Sequence, residues 1–252
     1  MTLRSKEQIP YRTILKTLIG TALFLTIDSP IGDAWFSGHG QAVAVILVGF
    51  AFAFSYWRSS KRARQIMLIG IVVGLTGEYI LSMVLGMYHY RFYNIPLWLI
   101  FGHSLIFASV FRLSHHPYIL HHQTVIKKWL FIFSVVYSFV WLYWANDWFG
   151  FLYSVIFFII LYYAKKSQLF FLIMFFIVAY LEQIGTATGT WYWPEIAFGK
   201  FEWLPSGNPP VGIAAFYFAF DFIVLGFYLN VLHPRVKGRY KRLRSHGNTT
   251  RD

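Results

Sequence analysis

Three carboxylates, Glu78, Glu182 and Asp221, and one imidazole, His103, stand in stretches that are otherwise aliphatic and aromatic. In hydrocarbon a charged side chain costs about 2.5–3.5 kcal/mol at the centre of a span, so these four are expected to face an interior and to have partners. Acids placed this way can divide the giving and taking of a proton between them. Two of them are followed by a glycine and then by aromatic residues: Gly86, Tyr88 and Tyr90 after Glu78, and Gly189, Trp191 and Trp193 after Glu182. A proton donor, a second acid that can hold water and many ring faces suit one reaction class. That class is protonation of an isolated C=C bond, with the carbocation stabilised by ring quadrupoles and quenched by water or an internal alkene. Catalytic roles are therefore expected of Glu78, Glu182, Asp221 and His103.

The elements that must carry these groups are membrane helices. Of the 252 residues 57% are hydrophobic and only 13% charged, a usage far from that of a soluble domain. Apolar runs of spanning length recur along the chain, and eight spans are expected. They run from Tyr11 to Ile27, Gln41 to Trp57, Gln65 to Tyr88, Ile95 to Phe111, Lys128 to Ala145, Trp148 to Ala164, Gln168 to Gly189 and Val211 to Leu232. With the N-terminus in the cytoplasm, all of the 22 Lys and Arg residues except Arg91 and Lys200 fall on the cytoplasmic side. Both termini are thus expected there, in an integral, multi-pass protein of a cell (inner) membrane. The net charge of +12 reads as a topology signal rather than a nucleic-acid footprint. The basic tail 233–252 is expected to lie against anionic headgroups. The first apolar run lacks a small-residue cleavage site and reads as a retained helix. No loop is long enough to bury a core of its own, so residues 1–252 form one transmembrane domain.

The stretch from Gly77 to Pro96 is echoed by Leu181 to Pro210. Each holds an acid, a closing glycine, aromatics two and four places on, a short loop and a proline. The acids are out of register by one residue. Asp28 to Gly32 and Asp147 to Gly150 match more faintly. The pattern predicts a four-plus-four duplication, with repeats 11–113 and 128–232. Counting about 1.5 Å per residue places Glu78 and Glu182 somewhat outside the midplane, with Asp221 and His103 near it. The four groups then converge on one cavity leaning outward.

Other features carry less chemistry. His115, His116, His121 and His122 have metal-like spacing, but no second cluster accompanies them on the cytoplasmic side, so they read as a solvated loop. Only His103 lies well inside a span, which argues against bis-histidine haem. There are no cysteines. No metal or cofactor is expected. Asn208, before Pro209-Pro210, reads as the cap of the eighth helix, whose first N–H groups could meet an anionic group of a ligand.

The pattern Glu182-x-x-Gly185-x-x-x-Gly189-x-Trp191-x-Trp193, with its partial copy from Glu78 to Tyr90 and the following Ile95-Pro96-Leu97-Trp98, resembles the Glu/Gly/aromatic motif of the integral-membrane carotenoid biosynthesis hydratases. The first copy lacks the intermediate glycine. The resemblance implies a multi-helix enzyme that adds water to the terminal double bond of an acyclic carotenoid without metal or redox cofactor. On the same basis Glu78 and Glu182 are the acid/base pair, and Tyr88, Tyr90, Trp191 and Trp193 face the substrate. Expected partners are membrane lipids and one apolar small molecule. Two other classes fit the same residues: a proton-coupled carrier loading protons on Glu78, Glu182 and Asp221, and a lipid-binding protein without chemistry.

Overall fold

A computed structural model describes residues 9–227, except 166, together with residue 231. The basic tail, the N-terminal Arg4 and Lys6 and the side chain of Asp221 lie outside the described residues.

Each of the eight apolar runs is helical over most of its described length. The helices are α1 (Tyr11–Ile27), α3 (Gly40–Trp57), α4 (Lys61–Glu78), α5 (Leu97–Ser114), α7 (Gln123–Trp144), α8 (Trp148–Tyr163), α9 (Gln168–Ala187) and α10 (Ala214–Phe227). Five described stretches are long and apolar enough to cross a membrane: Gly40–Trp57, Ala63–Val84, Leu97–Ser114, Gln123–Trp144 and Gln168–Ala187. α1 and α8 are shorter, at 17 and 16 residues. Two short helices link the long ones, α2 (Pro30–Trp35) and α6 (Pro117–His121). α6 replaces the loop expected at the histidine run. His116 accepts the Tyr118 N–H at 3.3 Å as its cap, and Pro117 supplies the preset φ of a first helical residue.

Helix α9 is the centre of the molecule, because it is apolar on every side. It packs against α1, α5, α7 and α10, and 61% of its apolar window is buried, against 11% for α7. The rings that α7 turns outward, such as Phe139, Tyr143 and Trp144, belong to the lipid side. α4 lies against α5 and α10, and α5 also against α3.

Helix α4 does not stop at Glu78. It runs on as a π-helical segment, Tyr79–Val84, closed by the Leu85 N–H donating to Ile80 O at 2.9 Å. A π-turn takes up one more residue than an α-turn. That accounts for the register shift between the two acids: eight residues separate Glu78 from Gly86, and seven separate Glu182 from Gly189. Both glycines sit at positive φ, 64° and 71°, where each helix ends and the chain turns back. After each turn comes a two-residue strand. β1 (His89–Tyr90) and β2 (Trp191–Tyr192) pair antiparallel, with Tyr90 opposite Trp191. A second small hairpin, β3 (Ile196–Ala197) with β4 (Phe201–Pro205), follows.

Two buried aspartates fix this end of the bundle. Asp28, after α1, accepts the Trp98 Nε1–H at 2.5 Å and an Arg91 N–H at 3.2 Å. Arg91 also binds Asp33 of α2. Asp147 caps α8 and accepts three backbone N–H groups, from Gly150, Gly207 and Val211, at 2.9, 2.8 and 2.6 Å. Val211 N–H is held by Asp147, Pro209 O accepts the Trp141 Nε1–H at 2.8 Å, and α10 starts only at Ala214. Asn208 therefore does not cap it.

The hydrogen bond from Arg91 holds the Asp33 carboxyl below its ordinary value. A lowered folded-state value means that the stabilisation is present above the usual carboxylate range, about pH 4, and is lost as pH falls through it. Detergent-solubilised protein should melt earlier as pH drops below about 4, and Asp33→Asn should melt earlier at neutral pH with a shallower acid limb. Superimposable melting-versus-pH curves for the two proteins would rule the clamp out.

Candidate functional site

The site is assembled by the two helix ends and the ladder between them. Glu78, on the last α-helical turn of α4, and Glu182, on the penultimate turn of α9, are both buried. Side chains alternate along a strand, so Tyr88 and Tyr90 fall on one face, as do Trp191 and Trp193. Both pairs turn inward, while His89 and Tyr192 are more exposed. The four rings meet: Tyr88 and Trp193 have centroids 4.7 Å apart, and Tyr90 and Trp191 6.2 Å.

Each glutamate is held by the polar edges of its own aromatics. Glu78 Oε2 accepts from the Tyr88 hydroxyl at 2.5 Å and the Tyr90 hydroxyl at 2.8 Å. Its Oε1 lies 2.7 Å from His103 Nε2. Glu182 Oε2 accepts both indole N–H groups, from Trp191 at 2.9 Å and Trp193 at 3.1 Å. Neither indole reaches Oε1.

The two donor sets are chemically unlike. Glu78 has three partners: two hydroxyls that donate to Oε2, and His103 Nε2 beside Oε1, which can donate or accept according to its tautomer. An indole N–H can only donate, so Glu182 Oε2 is an acceptor in either protonation state and a proton on this group must sit on Oε1. Tyr and His can both give and take a proton, which Trp cannot. The arrangement therefore suits Glu78 with His103 to taking a proton and Glu182 to giving one. The Tyr88 and Tyr90 hydroxyls both donate to Glu78 Oε2.

Gly185 explains why the second motif needs its intermediate glycine. A Cβ there would lie 2.0 Å from the Trp191 ring, so the indole lies flat on the helix backbone and its N–H reaches Glu182 one turn back. The first copy has no equivalent. Ser82 occupies the matching place, and its hydroxyl donates to Tyr88 O at 3.0 Å.

A cavity of about 40 Å³ lies between the two acids, walled by Glu78, Glu182, His103, the four aromatics and Tyr217. That is room for about three waters, or for the end group of a hydrocarbon rather than its length. Asn208 is not among the residues of its wall and accepts the Trp193 backbone N–H at 3.0 Å, so it braces an aromatic. The side chain of Asp221 lies outside what the structure describes. Among those described, no cluster of three or more His, Asp or Glu is placed to hold a metal ion.

Tyr217 went unnoticed in the sequence. Its ring lies 5.4 Å from that of His103, and it lines the cavity beside both glutamates. The signal was its spacing: it precedes Asp221 by four residues in the sequence, one helical turn.

No known protein family, curated protein or solved structure matches the chain. Its class is set by its own elements, which are those of a helical, multi-pass membrane protein.

Proposed function

We propose that the protein is an integral-membrane acid/base enzyme acting on a C=C bond of an apolar lipid of isoprenoid type, by hydration or cyclisation. One observation carries this reading: two buried glutamates with opposite kinds of hydrogen-bond partner face one small aromatic cavity. Glu182 Oε1–H protonates the alkene, and the resulting carbocation lies among the faces of Tyr88, Trp191, Trp193 and Tyr217. In hydration, water adds to the cation and its proton passes to Glu78 beside His103. In cyclisation an internal alkene adds instead, and loss of a proton to Glu78 gives an isomer. Either way one proton is given and one is taken, without net redox change. The resemblance to carotenoid hydratases points the same way.

The reading includes an eight-span, duplicated bundle with both termini in the cytoplasm. Supporting it, α4 packs on α10 as α9 packs on α5, and α4 on α5 as α9 on α10, the pairings expected of two like halves. The antiparallel β1–β2 ladder joins equivalent positions of those halves.

Mass spectrometry of lipids that co-purify with the solubilised protein tests the proposal. Two enriched species related by one water, or two isomers, are expected from the wild type, with the product depleted in Glu182→Gln. Bulk phospholipid alone, unchanged in the variant, would overturn it and favour a carrier.

A further inference from the structure

A second opening lies against the acid cavity and shares His103 and Tyr217 with it as a common wall. It also holds about 40 Å³, and its other walls include Ile66, Met67 and Val73 of α4, Ile106 and Phe107 of α5 and Met174 of α9. Its α4 positions, 66 to 74, cover about 12 Å of helix axis. They fall inside the apolar stretch Ala63–Val84, which is long enough to cross the hydrocarbon core of a bilayer. The wall presents almost no hydrogen-bonding capacity. Ser104 is on it, but its hydroxyl donates to Met67 O at 3.0 Å and is already engaged. Gly70 and Gly74 add no side chain, and a Cβ at Gly70 would reach Ser104 Oγ at 3.1 Å. Away from the His103 and Tyr217 edges, the lining side chains offer a headgroup, a sugar or an ion only the acceptor lone pairs of Ser104.

We infer that this groove is the tail subsite: it receives a single hydrocarbon chain from the bilayer, with His103 and Tyr217 as the neck through which the reacting end reaches Glu78 and Glu182. The inference rests on the acid/base reading above for the identity of that reacting end. It adds the direction of approach, which is sideways from lipid at the level of Ile66 to Gly74, and the residues that set chain fit, Val73 and Ile106.

A farnesyl-length hydrocarbon bearing a diazirine at its saturated end tests this on the full chain in vesicles. Photolabelling is expected on peptides carrying Ile66 to Val73 or Ile106 and Phe107, saturable and competed by the untagged hydrocarbon. Val73→Trp fills the groove and should lower that labelling about tenfold or more, as an overpacked site loses its occupant, with the lipid face of α7 labelled as before. Ile106→Ala widens the groove without filling it and should label at least as strongly as the wild type, so the subsite remains testable if the tryptophan variant fails to fold. Labelling confined to outward faces and never saturating would overturn the subsite. Loss of turnover in Glu182→Gln without groove labelling would remove the subsite and leave the chemistry. Saturable groove labelling with normal turnover in Glu182→Gln would remove the chemistry and leave the subsite.

Discussion

Glu182→Gln should lower turnover of the co-purifying lipid about 10²- to 10⁴-fold, the range a general acid contributes, while the protein stays folded and membrane-inserted. The structure gives the reason for both halves of that expectation. The amide oxygen of glutamine can replace Oε2 and still accept the Trp191 and Trp193 N–H groups. The amide nitrogen then stands where Oε1 stood and has no acidic proton to release. Glu78→Gln should lose turnover on a similar scale for the converse reason, since it removes the base but leaves Tyr88, Tyr90 and His103, each able to reverse its hydrogen-bond role. Full activity in both variants, measured on protein with wild-type melting behaviour, would show that neither acid takes part in the chemistry.

Gly185→Ala is expected to be strongly damaging for a change of one methyl group. In an ordinary helix interior, alanine for glycine stabilises by about 0.5–1 kcal/mol. Here the added Cβ would stand 2.0 Å from the Trp191 ring, with a second ring atom at 2.1 Å. The indole must leave its slot, at an overpacking cost of about 1–3 kcal/mol, and its hydrogen bond to Glu182 goes with it. Gly20→Ala is the matched control, because a Cβ at that position of α1 meets nothing within 4 Å. Thermal melting should fall for the first and hold or rise for the second, and near-ultraviolet circular dichroism should report a displaced tryptophan only in the first. Equal melting temperatures and unchanged tryptophan spectra would mean that Trp191 does not lie on that backbone.

The helices and the acids were legible because the signals that mark them are local. Hydrophobic runs, a carboxylate among them and a glycine at a helix end can each be read from a few neighbouring residues. The aromatic pairs were legible as a motif. Their role as hydrogen-bond donors was not, because it depends on the turn at Gly86 or Gly189 folding residues nine to twelve positions on back over the acid. The π-segment was hidden for another reason. The sequence displayed its effect, a one-residue offset between the copies, without saying whether the extra residue belonged to a loop or to the helix. Asn208 and Asp147 illustrate the limit most plainly. Asn208 looked like a helix cap but accepts the backbone N–H of Trp193, fifteen residues earlier, and Asp147, which does cap α8, makes two of its three bonds about sixty residues along the chain. Sequence separation of that size leaves no local trace, and the same holds for Tyr217, whose meeting with His103 needs α10 to cross beside α5.

The two tryptophans on Glu182 also bear on what the protein does to the membrane that holds it. A chain of groups that both lend and accept protons can act as a wire across a bilayer, and tyrosine with histidine on the Glu78 side has that character. An indole has no lone pair to offer in return for its hydrogen. On the proposed acid/base reading, Trp191 and Trp193 end the relay at Glu182 and insulate it, so that protons moved over a few ångströms do not become a leak that drains a transmembrane gradient.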